Sequence, residues 1–482
     1  MRLLSKSQFT RGVQCHKSLW LYRHQPDLRA PVTPEQQAVF DSGTKVGVLA
    51  RTLFPDGILI EADHLHPQVA IDETERAIAE RATTLYEAAI LHDNVIVRID
   101  ILTRDASGWH IYEVKSSTEV KDVHLDDVAI QRYVLAGFGG TVSSAHVIVL
   151  DNSYVRQGKI DVQKLFKIVE VTDETNPLVA EVPGRLAAMK AMDASSTAPC
   201  INIGPHCTKP YDCDFQAHCW KEVPDYSVFN LAGARMDKKT TLWRSGIRLV
   251  EEIPAGTKLT PYQETQRMVA KSGQAYIDHA AIKAHLAQLV YPAYHLDFET
   301  SAPAIPPFDG LRPYQATPFQ AVINVQATQG AASERYDFLE DGRIDPRPGI
   351  IAFLRKNIGP TGSLIAWSKS FEGGVMEKLG LGEYVPRLWD IMTPFQKAHW
   401  AEAGFHGSYS IKAVLPILVP EMKYEGLEIA DGVAAMRAYE QLMRRDLPEN
   451  ERARLINALK IYCGQDVFGM VKVLERLYTV VA

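Results

Sequence analysis

Apolar and polar residues alternate along several short stretches of the first part of the chain, and this pattern predicts β-strands. Two such strands are predicted at 94–102 and 109–115, with a turn between them, and a third at 145–151. Helical spacing predicts a helix that begins with the capping pattern Ser5-x-x-Gln8, a longer one over 72–89, and one that begins near Asp126. The order helix, strand, strand, helix, strand indicates an α/β layout.

The rest of the chain shows two further patterns. Residues 221–290 are mostly helical in pattern and mildly basic, which favours a small helical connector. From residue 291 onward strands come first, and helices then dominate. The predicted elements are strands at 294–299, 319–327 and 334–340 and two long final helices at 431–446 and 451–477. The sequence therefore predicts three segments, which are 1–220, 221–290 and 291–482.

The first strand of the last segment ends in the heptapeptide YHLDFET, which carries two carboxylates. Strand alternation places Asp297 and Glu299 on one face and turns Phe298 to the other. Two adjacent like charges are costly to bury, and a divalent cation such as Mg²⁺ or Mn²⁺, which prefers carboxylate oxygens, would remove that cost. The alternative is a strand end that exposes two acids to water.

A second group of acids lies in the predicted hairpin of the first segment. Asp100 closes its first strand, and Glu113 and Lys115 share one face at the end of its second strand. Such a set suits phosphodiester hydrolysis, because the acids hold a metal ion while the lysine stabilises charge or orients water. Gln131 lies on the following helix, from which polar side chains would reach the same site. The alternative is a cross-strand ion pair on an exposed sheet face.

Composition and charge narrow the class of protein. A chain of 482 residues with 46% apolar and 23% charged residues is expected to form two or three globular domains. The formal net charge of −6 provides no global basic field, so a nucleic acid would be held by local patches or by metal ions. Polar residues interrupt the first twenty positions, and no stretch is apolar enough to span a bilayer. We therefore expect a cytoplasmic protein without a membrane partner.

The six cysteines are unevenly distributed. Disulfides are not expected in a reducing cytoplasm, so a cluster of cysteines needs another chemical reason. Cys15 lies near the start and Cys463 near the end. The remaining four, which fall within twenty residues, are Cys200, Cys207, Cys213 and Cys219.

The first segment resembles the RecB-like branch of the PD-(D/E)xK nucleases, particularly the iron–sulfur type found among CRISPR-associated exonucleases. The resemblance rests on Asp100, Glu113 and Lys115 and on the stretch HCTKPYDCDFQAHCW. In that type one cysteine precedes the nuclease core and three follow it, which implies a [4Fe–4S] cluster that joins the two ends of the domain. The implied ligands are Cys15, Cys207, Cys213 and Cys219.

Some alternatives and departures accompany this resemblance. Zinc also accepts four cysteines, although the five-residue gaps here are wider than the usual zinc spacing. Cys200 is an alternative to Cys15 as the fourth ligand, or else a buried thiol. The family commonly carries a histidine on an early helix, where this chain has Gly47, and it spaces Gln and Tyr by four, whereas Tyr133 is two residues after Gln131.

The last segment resembles the DnaQ-like, or DEDD, exonucleases, which have an RNase H-like fold, in their tyrosine subclass. The strand carries Asp297 and Glu299, and a strongly amphipathic stretch near the end carries Tyr462 and Asp466, four residues apart and so on one helix face. The resemblance implies that the acids bind two metal ions and that the tyrosine orients the attacking water.

The third carboxylate of that family lies in a middle motif, N-x-x-F-D, which follows a strand. Here the predicted strand SLIAW is followed by Ser368 and, four positions later, by Glu372. Glu372 is therefore the implied third carboxylate, and Asp390 is the alternative.

Taken together, the segments resemble a family of two-nuclease proteins over nearly the whole chain. The implied fold class is α/β, with a PD-(D/E)xK restriction-endonuclease-like domain and an RNase H-like domain joined by a small, mostly helical connector. The implied activity is that of a metal-dependent exodeoxyribonuclease with two active centres, acting on single-stranded ends, with DNA favoured over RNA. The alternative is a nucleic-acid-binding scaffold whose catalysis has decayed, a hypothesis suggested by the missing histidine, the altered middle motif and the negative net charge.

Overall fold

The computed structural model describes residues 3–482 and is a mixed α/β structure. It divides into two compact units. The first comprises the residues up to Glu222 together with Pro303–Gln315, and the second comprises Val223–Ala302 and Ala316–Ala482. The predicted connector contains the three helices Met236–Arg244, Pro261–Ser272 and His279–Leu286, and from Val223 onward it belongs to the second unit. No helix within residues 3–482 combines the length and apolar character needed to cross a membrane.

The first unit has seven strands and eight α-helices among the residues that the structure describes. In chain order they are β1 (Leu4–Ser5), α1 (Lys6–Gln14), α2 (His16–His24), α3 (Pro34–Arg51), β2 (Ile58–Leu59), α4 (Pro67–Ala79), β3 (Thr84–His92), β4 (Val95–Asp105), β5 (Gly108–Val114), α5 (Asp122–Gly137), β6 (Val142–Leu150), α6 (Val162–Leu165), β7 (Phe166–Glu170), α7 (Thr172–Asp193) and α8 (Gln216–Cys219).

These strands form one mixed sheet in the order β2-β3-β4-β5-β6-β7, with β1 paired to β4. The predicted hairpin is β4 and β5, which are antiparallel, and helix α5 connects β5 to the parallel strand β6. Alternation along β4 explains its place in the sheet, because Val95, Val97 and Ile99 are buried while Arg98 and Asp100 are only partly so. This alternation sets the face on which the acids lie.

The helix predicted over 72–89 is wrong in its second half. Helix α4 ends at Ala79, and the chain from Thr84 onward forms strand β3. Arg81 adopts a φ of 65°, in the left-handed region, so the helical path cannot continue through it. Leu85 is then buried in the sheet against β4, so tertiary pairing overrides the local helical pattern.

The second unit has seven strands and nine α-helices within the described range. In chain order they are α9 (Met236–Arg244), α10 (Pro261–Ser272), β8 (Tyr276–Ile277), α11 (His279–Leu286), β9 (Ala293–Ser301), β10 (Thr317–Gln326), β11 (Glu334–Leu339), α12 (Pro346–Asn357), β12 (Ser363–Ala366), α13 (Lys369–Lys378), β13 (Leu388–Asp390), α14 (Thr393–Gln396), β14 (Trp400–Ala401), α15 (Ile411–Leu418), α16 (Gly432–Leu442) and α17 (Glu449–Val481).

Five of these strands form a sheet in the order β11-β10-β9-β12-β13. Strand β10 is antiparallel to both of its neighbours, β9 and β11, whereas β9, β12 and β13 are mutually parallel. The carboxyl ends of these three parallel strands therefore lie at one edge of the sheet, where polar residues that follow them meet.

Helix α17 packs on one face of this sheet. Its residues Cys463, Val467 and Met470 share a buried cluster with Val322 of β10 and Ile365 of β12. The opposite face is covered separately, by a cluster that contains Leu296 and Phe298 of β9. The acids of β9 therefore point toward α17, while Phe298 points away.

Candidate active sites and cysteine cluster

Strand register brings the first group of acids together. Leu102 of β4 pairs with Ile111 of β5, and both are fully buried. Asp100 comes two residues before Leu102, and Glu113 comes two residues after Ile111. Each acid therefore lies on the same face of the sheet as that pair. Asp100 accepts a hydrogen bond from the Val114 N–H at 2.7 Å, which holds its carboxylate against the end of β5.

The Glu113 carboxylate lies at the centre of this site and is only 2% exposed. The Lys6 ammonium donates to both its oxygens, at 2.8 and 2.9 Å, and Lys115 lies 2.8 Å from one of them. The Gln131 side-chain amide donates to the other at 2.6 Å, and Lys115 also donates to Asp127 at 2.5 Å. The structure thus brings together the predicted residues Asp100, Glu113, Lys115 and Gln131.

The pKa values of the two acids are displaced in opposite directions. Burial, and then the charge of Glu113, raises the pKa of Asp100 to about 7. Burial also acts to raise the pKa of Glu113, but the charges of Lys115 and Lys6 outweigh it and hold that pKa well below its usual range. Burial acts against the charged form of Lys115 too, yet Glu113 and Asp127 raise its pKa. Paired carboxylates with separated pKa values are a common feature of acid–base sites.

A cavity of about 420 Å³ opens onto these residues, and α3 forms one of its walls. Gly47 lies in that wall, and a Cβ added there would meet no atom within 4 Å, so the position has room for a side chain. Glu87 of β3 also lines the cavity, accepts from Arg51 at 2.7 Å, and contributes to the raised pKa of Asp100.

Sequence reasoning missed both Lys6 and Glu87. Lys6 is 107 positions from Glu113, and no motif connects the two. Glu87 fell within the region predicted as helix; the flanking pairs of β3 and β4 place it opposite Asp100, a relation that becomes visible only when the strand is recognised.

Four cysteines line one small cavity in the first unit. They are Cys15, which lies between α1 and α2, and Cys207, Cys213 and Cys219. Cys200 is exposed and does not line this cavity, and Cys463 lies in the second unit. The structure therefore brings together the four predicted cluster cysteines and leaves Cys200 outside them.

Polar contacts surround the sulfur atoms. The Gly204 N–H donates to the Cys207 sulfur at 3.5 Å, and Ser18 lies 3.3 Å from the Cys213 sulfur. Burial raises the pKa of Cys15 and of Cys219. N–H donors directed at sulfur are typical of sites that stabilise metal-bound thiolates.

The second group of acids surrounds the end of β9. Asp297, Glu299 and Cys463 each place a ligand atom so that all three atoms lie within 4.8 Å of one another. No other group of three His, Cys, Asp or Glu within residues 3–482 meets that distance. Cys463 donates to Asp297 at 3.4 Å, and Asp466 lies one helical turn further along α17.

These carboxylates repel one another. Burial, followed by the charge of Asp466, raises the pKa of Asp297 to about 8. Burial and then the charge of Asp297 raise the pKa of Glu299 well above its ordinary value. Burial raises the pKa of Asp466 to about 6, although a hydrogen bond from Tyr424 opposes the shift. The cost of charging these groups together is the cost that a cation would remove.

Glu372 interacts with this group and keeps an unpaired oxygen, whereas both oxygens of Asp390 are paired with backbone N–H groups. Burial and then the charge of Asp297 raise the pKa of Glu372, and its Oε2 atom is buried with no hydrogen-bond partner among the described residues. Asp390 uses its oxygens to accept from the N–H groups of Lys369, at 3.2 Å, and Met392, at 3.0 Å. An orphaned, buried carboxylate oxygen is a group that lacks its counter-ion.

Three side chains without formal negative charge complete this site. Tyr462, which was predicted, and Tyr424, which was not, both hydrogen bond to Asp466 and lower its pKa. The Lys412 ammonium lies 5.1 Å from the centre of the Tyr462 ring and lowers the pKa values of the acids. Lys412 and Tyr424 escaped prediction because neither lies at a fixed spacing from an acid.

The second acidic site has the donor types of a divalent-cation site, whereas in the first site Lys6, Lys115 and Gln131 already contact the Glu113 carboxylate. The second site offers only oxygen and thiol donors around an orphaned carboxylate atom, and the first offers Asp100 and Glu113 beside a cavity. Carboxylates suit Mg²⁺ and Mn²⁺, whereas thiolates suit iron–sulfur clusters and zinc.

Comparison with known proteins bears on the second unit. The model of a family described as Domain of unknown function (DUF2779) matches residues 294–410. No curated protein matches the chain. The matched stretch begins in β9, includes Asp297, Glu299 and Glu372, and ends before α15. Over this quarter of its length the chain is similar to that family.

Proposed function

We propose that the chain is a metal-dependent exonuclease that hydrolyses phosphodiester bonds at single-stranded nucleic acid ends, with DNA favoured over RNA, at one centre in each unit. The observation that carries the proposal is the buried carboxylate set of the second unit. Its acids have raised pKa values, and Glu372 keeps an oxygen without a partner among the described residues. Ionising such a set inside the protein is costly, and a divalent cation would remove that cost.

The proposal includes the finer folds that the sequence resemblance implies. The first unit is proposed to be a RecB-like PD-(D/E)xK nuclease domain and the second a DnaQ-like domain with an RNase H-like fold. A mixed sheet that carries acids in each unit supports this assignment. The metal ligands are proposed to be Asp100 and Glu113 in the first unit and Asp297, Glu299, Glu372 and Asp466 in the second.

A bound Mg²⁺ or Mn²⁺ would polarise the phosphate and supply hydroxide at neutral pH. In the first centre, Lys115 places its ammonium beside Glu113, where it stabilises negative charge that develops on the phosphate. Gln131 fixes the Glu113 carboxylate through its amide, so that one orientation persists. Lys6 adds a second positive charge on the same carboxylate.

In the second centre, the hydroxyl groups of Tyr462 and Tyr424 hold Asp466 in place. Burial and then the charge of Asp466 raise the pKa of Tyr462, so its phenol stays protonated, donates to Asp466 and keeps an oxygen lone pair that can accept from water. The positive charge of Lys412 lowers the pKa values of Asp297 and Glu299 and so favours their ionised forms.

The four cavity cysteines are proposed to hold a [4Fe–4S] cluster. No three of their sulfur atoms all lie within 4.8 Å of one another in the described chain. A single tetrahedral zinc with Zn–S bonds of about 2.3 Å requires sulfur atoms about 3.8 Å apart. The proposal favours a multinuclear group, which four thiolates that line one cavity would hold.

The proposal is tested by incubating the purified protein with end-labelled single-stranded DNA and RNA, with Mn²⁺ or Mg²⁺ and with a chelator. We expect shortening of the labelled strand that depends on the metal ion and is faster for DNA. Absence of cleavage of both polymers by protein with an intact cysteine cluster would contradict the proposal. Salt-dependent binding without turnover would instead select a scaffold with decayed catalysis.

A further inference from the structure

The second unit has a cavity whose lining residues include none of the acids. It measures about 450 Å³, within the range of about 300–1,000 Å³ typical of small-molecule sites. Trp367, Met392, His406, Tyr409 and Lys239 are among its lining residues. Trp367 follows β12 and Met392 follows β13, so the cavity lies at the same sheet edge as the carboxyl end of β9.

The aromatic rings of this cavity are held in place by their neighbours. The Trp367 indole N–H donates to the Tyr409 carbonyl at 3.2 Å, and the Tyr409 ring meets Tyr262 edge to face, 6.1 Å between centroids. His406 stacks on Tyr226 at 4.8 Å with an interplanar angle of 6°. Tyr409 nevertheless remains 37% exposed. A fixed ring with a free face is suited to stacking against another planar group.

The cavity also carries a cation without a counter-ion. Lys239 is half-buried, and no ion pair or hydrogen bond of its ammonium group occurs among residues 3–482. Burial alone lowers its pKa, since no carboxylate acts on it. A partly desolvated ammonium with no protein partner attracts an anion from solution.

Three chain segments connect the cavity to the acidic centre. Trp367 is five residues before Glu372, and Ser410, another lining residue, is two residues before Lys412. The Met392 N–H donates to Asp390, which is the last residue of β13. Short chain segments at one edge of the sheet thus join residues of the cavity to residues of the acidic centre.

We propose that this cavity binds one base of a single-stranded nucleic acid, stacked against Tyr409, with the adjoining phosphate at Lys239. Each nucleotide joins a planar base to an anionic phosphate. The base matches the fixed Tyr409 ring, and the phosphate matches the unpaired Lys239 ammonium in the cavity wall. This inference rests on the proposed function, because it names the part of the substrate that the second centre holds.

The test measures binding of a fluorescein-labelled single-stranded oligonucleotide by anisotropy, in chelator so that no cleavage occurs. A series of oligonucleotides carries one abasic site, moved one position at a time from the 3′ end. With the wild-type protein we expect about ten-fold weaker binding when the abasic site reaches one particular position. Tyr409→Ala should bind the intact strand about ten-fold more weakly and lose that sensitivity, whereas Tyr409→Phe should retain both.

Two further variants complete the design. Lys239→Gln should weaken binding of every oligonucleotide and reduce the slope of log affinity against log salt by about one. Tyr276→Ala removes another exposed tyrosine of the same unit and should behave as wild type.

Equal binding of intact and abasic strands at every position, or abasic sensitivity that survives in Tyr409→Ala, would overturn the inference. The proposed function fails separately. Base-dependent binding without any metal-dependent cleavage would contradict the exonuclease and keep the base site, whereas cleavage with abasic-insensitive binding would contradict the base site alone. Absence of binding to both single-stranded DNA and RNA would contradict both.

Discussion

At the scale of single residues, the second centre is defined by which carboxylate oxygens already have partners. Of the two candidates for the third carboxylate, Asp390 accepts from two backbone N–H groups, one on each oxygen, so it is satisfied within the protein. Glu372 has one buried oxygen that has no hydrogen-bond partner among the described residues. The side chain that lacks a partner is the one expected to bind a cation.

This difference predicts the effect of two matched substitutions on metal binding. Glu372→Gln should weaken binding of Mn²⁺ to the second unit by about ten-fold or more, because a carboxylate ligand is replaced by a neutral amide. Asp390→Asn keeps an oxygen that can accept from the same N–H groups and should change the affinity little. Calorimetric titration of Mn²⁺ into protein with Asp100→Asn and Glu113→Gln in the background, which removes the proposed ligands of the first centre, measures both. Equal losses for the two variants would show that Glu372 is not the third carboxylate.

Residue patterns predict contacts that follow from the period of an element, and fail for contacts that depend on packing. The period of two placed Asp297 beside Glu299, and the i, i+4 spacing placed Tyr462 on the face of Asp466. Lys412 and Tyr424 reach the same site only because α15 and the loop after it pack on α17, and no spacing in the sequence encodes that packing.

At the scale of elements, helix α1 connects two sites of the first unit. It begins at Lys6, whose ammonium binds Glu113, and Cys15 follows directly after its last residue. Within the same helix, Arg11 binds Asp214 at 2.5 and 2.9 Å, next to Cys213. The helix is thus tied to the carboxylates at one end and to the cysteines at the other.

Loss of any cavity cysteine should therefore remove the metal cluster and loosen α1. The anaerobically purified protein should be brown, with a broad absorbance near about 400 nm from sulfur-to-iron charge transfer. The substitutions expected to bleach it and to lower its solubility are Cys15→Ala, Cys207→Ala, Cys213→Ala and Cys219→Ala. Closing a long loop restricts the unfolded chain, so the loss should destabilise the first unit more than the second.

Two cysteine substitutions serve as controls. Cys200→Ala and Cys463→Ala should leave the absorbance unchanged, since neither residue lines the cavity. A colourless protein with one equivalent of zinc would overturn the iron–sulfur assignment. A bleached Cys200→Ala beside a brown Cys15→Ala would overturn the choice of ligands.

Most elements follow from the hydrophobic pattern, and the exceptions have physical causes. The hairpin of β4 and β5 was predicted because burial alternates along its strands, and β9 and β10, which are buried along most of their length, were predicted from their apolar runs. Strand β3 was not, because residues 84–89 continue a helical pattern and only the pairing with β4 fixes them as a strand. Helix α5 begins at Asp122, slightly before the predicted start near Asp126.

At the scale of the whole molecule, stability depends on pH through the buried acids. The pKa of Asp297 is about 8 and that of Asp466 about 6 in the folded chain, both above the ordinary value of 3.8. The folded state therefore binds more protons than the unfolded state between about pH 4 and pH 8. The stabilisation from these protons is complete below about pH 4 and is lost as the pH rises toward 8.

The melting temperature of the second unit in chelator should accordingly fall from pH 5 to pH 8. Adding Mg²⁺ at pH 8 to about one hundred times its dissociation constant should raise that temperature by about 5–10 °C, because ligand binding stabilises the folded state by about 2.7 kcal/mol. The same addition at pH 5 should have less effect, since protons compete for the carboxylates. Scanning calorimetry measures both, with Asp297→Asn expected to flatten the pH dependence. A melting temperature independent of pH and of Mg²⁺ would contradict the interpretation.

The central claim is that the chain contains two independent nuclease centres, and one assay of four proteins tests it most directly. Cleavage of an end-labelled single strand in Mn²⁺ is compared for wild type, Lys115→Ala, Asp297→Ala and the double variant. We predict that each single variant retains part of the activity, that Lys115→Ala degrades only from 3′ to 5′, and that the double variant loses all cleavage. Complete loss of cleavage in either single variant, or cleavage that persists in the double variant, would contradict the account.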